Sequence, residues 1–118
     1  MKILIVDDDK LTRQSVSHTL TENGYEVSLA EDVSKALTIL QNEKIDLIVS
    51  DIMMPNVSGL GLLSMLKNFY FDKIPVILIS SLDKGDVIAK SLGLGATYFL
   101  PKPLDIKGFL NCIKTILK

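Results

Sequence analysis

Short apolar runs rich in β-branched residues recur along this 118-residue chain, and each is followed by a longer stretch with helical spacing. Lys2–Val6 (KILIV) is the first run, and Asp7-Asp8-Asp9 halts it abruptly. Lys10–Glu22 then reads as a helix with Asp9 available as its N-cap and Asn23-Gly24 as its stop. Tyr25, Val27 and Leu29 alternate with Glu26 and Ser28, the mark of a strand with one better-buried face. Asp32–Gln41 is helical, with Val33, Ala36, Leu37 and Leu40 on one stripe. Ile45–Ser50 (IDLIVS) is another apolar run stopped by an acid, Asp51, and the turn-rich Pro55–Gly59 leads into a helix ending near Lys67. Pro75–Ser80, a helix within Lys84–Leu92, Tyr98–Leu100 and a helix over Leu104–Leu117 complete the series.

Strand and helix thus alternate five times. Continuous apolar strands joined by helices require a parallel sheet covered on both faces, and right-handed crossovers leave few ways to order it. The expected fold is α/β: a doubly wound five-stranded parallel sheet of order 2-1-3-4-5 flanked by five helices. No linker, repeat or low-complexity tract interrupts residues 1–118, so one domain is expected. With 47% hydrophobic residues the chain has the composition of an ordinary globular core and requires no metal or disulfide staple.

Composition also removes several functions. Thirteen basic residues face 14 acidic ones, a balance that offers nucleic acid no electrostatic footprint. No apolar run approaches the length of a bilayer span and no secretory leader precedes Ile3, so neither membrane contact nor export is expected. The single cysteine, Cys112, cannot form an internal disulfide and reads as inert packing, which suits a reducing, cytoplasmic setting.

Polar residues at the strand ends carry the functional signal. In open α/β sheets ligands bind beyond the carboxyl ends of the strands, where the strand order reverses. The first run ends in Asp7-Asp8, the third in Asp51, the fourth in Ser80, and the fifth is followed closely by Lys102. An order of 2-1-3-4-5 makes the first and third strands neighbours, so three carboxylates, a hydroxyl and an ammonium share one rim. Clustered carboxylates repel and raise one another's pKa unless a cation intervenes. All-oxygen ligands with no nearby His or Cys select a hard ion, and a small site that keeps several waters suits Mg2+, with Mn2+ as the alternative. Such a site supports phosphoryl transfer to a carboxylate, with Lys102 as a point charge and Ser80 as a donor to phosphoryl oxygens.

Four segments, ILIVDDD at 3–9, LIVSDIMMP at 47–55, PVILISS at 75–81 and GATYFLPKP at 95–103, occur in order, each at a strand end. Together they resemble the receiver domain of two-component response regulators, of the chemotaxis type, and the likeness covers essentially the whole chain. The resemblance implies that Asp51 is the phosphoacceptor. It implies that Asp8 and Asp51 ligate Mg2+ directly, Met53 through its backbone carbonyl, and Asp7 mainly through a metal-bound water. Ser80 matches the switch hydroxyl, Lys102 the lysine of the site, and Phe99 the switch aromatic. A cis peptide between Lys102 and Pro103 is implied as well. The implied phosphodonor is a histidine kinase or a histidine phosphotransfer protein. The implied response is a change in the face built from the helix within Lys84–Leu92, the fifth strand and the last helix, which meets a downstream partner or a fused output domain. No output domain is expected within residues 1–118, and the chain reads either as a stand-alone regulator or as the receiver of a longer protein. A domain of this kind assists its own phosphorylation and dephosphorylation but is not a turnover enzyme.

Departures from the family pattern are few. Ser81 follows Ser80 where a smaller residue is common, Ser58 stands where many members carry an acid, and Phe99 lacks the hydroxyl of the commoner Tyr. Met53 and Leu82, expected beside the path of a hydrolytic water, are apolar and cannot orient it, so a long-lived phosphorylated state is expected.

The same residues admit other readings. Asp7–Asp9 could be only a capped helix start, but three acids exceed what capping requires. A flavin-binding protein of this fold would want a hydroxyl- and amide-rich loop after the first strand, where this chain is triply acidic. The alternative function is a receiver-like interaction scaffold that is not phosphorylated. His18 lies mid-helix on a polar stretch with no acidic partner expected to tune it, and reads as a solvated surface residue. The apolar stripe of the last helix is broad enough that Phe109 is a candidate to face a partner, although most of it must be core.

Overall fold

A computed structural model describes residues 1–52, 59–68, 73–80, 93 and 95–117. The apolar runs become β1 (Lys2–Val6), β2 (Glu26–Ala30), β3 (Leu47–Asp51), β4 (Val76–Ser80) and β5 (Tyr98–Pro101), and the amphipathic stretches become α1 (Lys10–Glu22), α2 (Val33–Asn42), α3 (Gly59–Asn68) and α4 (Ile106–Ile116). The sheet is wholly parallel with order β2-β1-β3-β4-β5, as expected. Four helices stand among the described residues where five were expected. The missing one, assigned to Lys84–Leu92, lies outside the described residues.

Period-two alternation along the strands divides the core between two layers. Ile3 and Ile5 of β1, Leu47 and Val49 of β3, and Ile77 and Ile79 of β4 face one side, where Val16 and Leu20 of α1 and Phe109 and Ile113 of α4 cover them. Leu4, Val6, Ile48, Val76 and Leu78 face the other side, under Val33, Ala36 and Leu40 of α2 and Leu62, Leu63 and Leu66 of α3. β3 and β4 are buried at every position, whereas the edge strands β2 and β5 are only partly covered. That contrast explains why the inner strands read as unbroken apolar runs and β2 alternates.

Local chemistry sets the ends. Asp9 caps α1 by accepting the Leu11 N–H at 3.3 Å, and Asp32 caps α2 by accepting the Lys35 N–H at 2.8 Å. Beyond α1 the chain turns through Gly24, whose φ of +89° is open to glycine at little cost. The third run was expected to begin at Ile45, but β3 begins at Leu47. Asp46 is committed to β1 instead, its Oδ2 accepting the Lys2 N–H at 2.8 Å while its own N–H donates to the Lys2 carbonyl at 2.8 Å. At this amino edge of the sheet Lys2 Nζ also meets Glu43 Oε1 at 2.5 Å, and Ser28 Oγ donates to the same oxygen at 2.6 Å.

Two side chains depart from expectation. Phe109 is 1% exposed and belongs to the core between α4 and the sheet, so it is not available to a partner. Ile106, one helical turn earlier, is the exposed apolar residue of α4. His18 is solvated as expected, but it does have an acidic neighbour, Glu22, one turn on, with Nε2 to Oε1 at 3.1 Å.

Candidate functional site

The parallel register delivers the polar strand ends to one edge. The β1–β3 ladder runs through Val6 and Ser50, so the next residues on each strand are Asp7 and Asp51. The β3–β4 ladder pairs Asp51 with Ile79, and the β4–β5 ladder pairs Ser80 with Pro101, one residue before Lys102. Asp7 at 4% exposure, Asp51 at 7% and Ser80 at 0% are three of the four buried polar or charged residues among those described. The fourth, Ser50, donates from Oγ to the Asp51 carbonyl at 3.0 Å. Buried polar groups cost free energy unless partnered, so four at one edge of an otherwise apolar sheet mark a site built for something other than packing.

One ligand oxygen from each of Asp7, Asp8 and Asp51 lies within 4.8 Å of the others. Asp7 accepts the Asp9 N–H on Oδ1 at 2.9 Å and lies 3.7 Å through Oδ2 from Lys102 Nζ. Lys102 Nζ donates to Asp51 Oδ2 at 2.8 Å. Its backbone N–H donates to the Ser80 carbonyl at 2.9 Å, and the Lys102–Pro103 peptide is cis. Asp8 is exposed at the mouth of the cluster.

The third acid of the run plays a different part. Asp9 accepts the Leu11 N–H on Oδ1 and the Thr12 hydroxyl on Oδ2, the latter at 2.6 Å. Both oxygens are thereby committed to the start of α1, and the Thr12 hydrogen bond is the main reason its pKa falls below the ordinary carboxylate value. The run DDD therefore divides into two acids that face the cluster and one that caps.

Burial pushes the Asp7 carboxyl above its usual value, and the neighbouring Asp51 and Asp8 charges push the same way. The Asp9 N–H and the Lys102 ammonium oppose the rise without cancelling it. Lys102 shows the complement: burial works against its charge, but the hydrogen bond to Asp51 and the charges of Asp51, Asp7 and Asp9 outweigh that and hold it above the ordinary lysine value. The edge thus carries more negative charge than one lysine neutralises, which favours a further cation.

The donor set fits a small hard ion. Oxygens bound to one Mg2+ at ~2.1 Å lie no more than ~4.2 Å apart, so a cluster within 4.8 Å closes on an ion by small rotations or through one bridging water. Met53, Ser81 and Leu82 lie outside the described residues, as does Ser58. Phe99 is half-buried on β5 and packs against the core layer beneath α2 and α3, while its neighbour Tyr98 is exposed.

Arg13 carries no mark of a special role in the sequence. Its guanidinium reaches back from α1 and donates through Nη1 to the Asp7 carbonyl at 2.6 Å. Nothing in the side-chain pattern marks such a residue, because its partner is a backbone carbonyl.

No helix among the described residues is long and apolar enough to cross a membrane. The response regulator receiver domain family matches the chain over residues 3–114. Response regulator MprA of Mycobacterium sp. strain KMS is 34% identical across all 118 residues of this chain, which correspond to 51% of that protein. The MprA protein of Mycobacterium leprae is 35% identical over the same span, so the chain spans about half the length of the curated relatives it matches. Among solved structures, the receiver domain of the Francisella response regulator 1452 superposes with a TM-score of 0.91 at 32% identity, covering 98% of this chain and 94% of that one. The chemotaxis protein CheY4 of Vibrio cholerae gives a TM-score of 0.90 at 31% identity, covering 98% and 97%. The register, the edge at which Asp7, Asp8, Asp51 and Lys102 converge and these likenesses agree, and the chain belongs to the response regulator receiver domain family of two-component systems.

Proposed function

We propose that residues 1–118 form one receiver domain that accepts a phosphoryl group on Asp51 from a histidine kinase or a histidine phosphotransfer protein in the cytoplasm, with Mg2+ or Mn2+ bound by Asp8, Asp51 and the Met53 carbonyl and, through water, by Asp7. The observation that carries this reading is the setting of Asp51. It is a buried carboxylate at the carboxyl edge of the sheet, bonded to Lys102 at 2.8 Å and clustered with two further acids.

Each residue has a task that follows from its position. An Asp51 carboxylate oxygen forms the new bond to phosphorus as the bond from phosphorus to the donor's imidazole nitrogen breaks, and the freed imidazole carries away its own electron pair. Lys102, already beside Asp51, places a positive charge where a phosphoryl oxygen gains negative charge. Ser80, on the next strand, is the hydroxyl that bonds another such oxygen. A divalent ion held by Asp8 and Asp51 would supply neutralisation of the charge that develops during transfer. The acyl phosphate is the signal, so the domain assists its own modification and its reversal without turning over a substrate.

Phosphorylation adds about 1.5 to 2 negative charges at this edge. Ser80 moves toward that charge, Phe99 repacks, and the face built from the helix assigned to Lys84–Leu92, β5 and α4 presents its altered shape to an output partner. The equilibrium shifts only as far as the two states differ in stabilisation by the phosphate.

Incubation with acetyl phosphate and Mg2+, followed by phosphate-affinity electrophoresis, tests the reading. A shifted band is expected from the parent chain and none from Asp51→Ala. An unshifted parent would favour the interaction scaffold that is not phosphorylated.

A further inference from the structure

We propose that Arg13 is a positioning residue for the divalent ion, because its hydrogen bond to the Asp7 carbonyl fixes the peptide from which Asp8 projects. This inference rests on the metal-assisted reading above and adds a residue to it.

Asp7 is held on several sides. Its N–H donates to the Ala30 carbonyl at 3.1 Å, its Oδ1 accepts the Asp9 N–H at 2.9 Å, and Lys102 stands by its Oδ2. Asp8 is different: its carboxylate makes no hydrogen bond or ion pair among the described residues. Its place at the cluster is therefore set by the backbone of the turn. The Asp7 carbonyl and the Asp8 N–H belong to one planar peptide, so whatever grips that carbonyl also orients the bond from which the Asp8 side chain departs.

Arg13 provides the grip. The 2.6 Å contact from Nη1 is a short, charge-assisted hydrogen bond. It springs from a helix whose first turn is itself anchored, with Asp9 capping through Leu11 and Thr12 and the Arg13 N–H donating to the Asp9 carbonyl at 3.0 Å. The guanidinium stands beside a turn of three acids, yet among the described residues it pairs with the carbonyl and with no carboxylate. The oxygens of Asp7 and Asp8 are thus left for a cation.

Positioning and simple electrostatics predict opposite signs. Removing a positive charge next to three acids strengthens their attraction for a divalent cation. Removing the support of a ligand weakens binding, commonly by 10- to 100-fold for groups one shell out from a metal. Mn2+ itself is the probe, titrated into the full chain with free Mn2+ read by electron paramagnetic resonance. Arg13→Met keeps the aliphatic stem and helix propensity, and Arg13→Ala is a second truncation. Melting in EDTA shows that each variant is folded. Both are expected to bind Mn2+ about tenfold more weakly, and Arg13→Lys, which restores charge and one donor, to recover part of the loss. The proposal is overturned if either folded truncation binds as tightly as the parent or more tightly, or if Arg13→Lys is as weak as Arg13→Met. A parent that does not bind Mn2+, or binds it equally well after Asp8→Ala, overturns the metal reading and this inference with it.

Discussion

Lys102 and Asp51, 51 residues apart in the chain, form the one direct ion pair at the carboxyl edge shorter than 3 Å among the described residues, with Nζ to Oδ2 at 2.8 Å. The ammonium serves two buried acids at once, since Asp7 Oδ2 is 3.7 Å away. Lys102→Met leaves both without their counter-charge. Breaking a fully buried pair from one side costs about 3–5 kcal/mol. Lys102 is partly open to water, so a loss of about 2 kcal/mol is expected in EDTA, read by urea unfolding. Adding Mg2+ is expected to recover much of it, and equal losses with and without Mg2+ would contradict the shared-charge account.

Asp7 gives a prediction of the opposite sign. Its pKa is raised in the fold, chiefly by burial, so the folded state holds that proton more tightly than the unfolded chain does. The resulting stability is present below the unfolded carboxylate pKa and is lost as pH rises through the higher folded value. Metal-free Asp7→Asn, whose amide oxygen still accepts the Asp9 N–H, escapes that loss. At neutral pH it is expected to be more stable than the parent by about 1 kcal/mol, or ~4 °C in Tm. Calorimetry in EDTA across the acid range checks this, because the gap between the two proteins should widen with rising pH.

Glu43 titrates the other way. The hydrogen bond with Lys2, then that from Ser28, holds its carboxyl below the ordinary value, so its contribution to stability is present above the unfolded pKa and is lost as pH falls through the folded one. Because the pair is partly exposed, the effect is expected to be small and to shrink with salt. Carbon-detected NMR titration should show the Glu43 carboxyl pKa rising toward the unperturbed value in Lys2→Met.

The fates of two large apolar residues should differ sharply. Phe109→Ala empties a position in the α4 layer and is expected to cost about 3–5 kcal/mol. Leu11, 75% exposed, is expected to tolerate alanine within about 0.5 kcal/mol. Denaturant midpoints of the two variants provide the comparison.

Under the proposed function, the lifetime of the phosphorylated state is expected to depend on side chains outside the described residues. With Met53 and Leu82 both apolar, Met53→Asn combined with Leu82→Glu is expected to speed loss of the phosphoryl group by about tenfold, less than the ~10²–10⁴-fold of full general acid–base assistance because these side chains would only orient the water. Following decay after removal of the phosphodonor measures it, and unchanged decay would rule the idea out.

The sheet order and the meeting of Asp7, Asp8, Asp51 and Lys102 were legible in the residues because continuous apolar strands admit few arrangements and acids at their ends have only one edge to occupy. What could not be read involved backbone partners. Asp46 looked like part of an apolar run, yet both its carboxylate and its N–H serve Lys2 of β1. Arg13 looked like any basic residue on a helix surface, because its partner is a carbonyl. Phe109 and Ile106 share one stripe, and only the angle at which α4 lies on the sheet decides which is submerged.

The lysine at the heart of this edge hangs from β5, a four-residue strand hydrogen-bonded to β4 alone. Its partner Asp51 ends β3, which is paired on both flanks and buried at every position. A strand paired on one side only is held by fewer hydrogen bonds than one paired on both, so a change of charge at Asp51 is expected to displace β5 before β3. Under the proposed function, modification at the centre of the sheet is therefore expected to be felt first along its outermost ribbon.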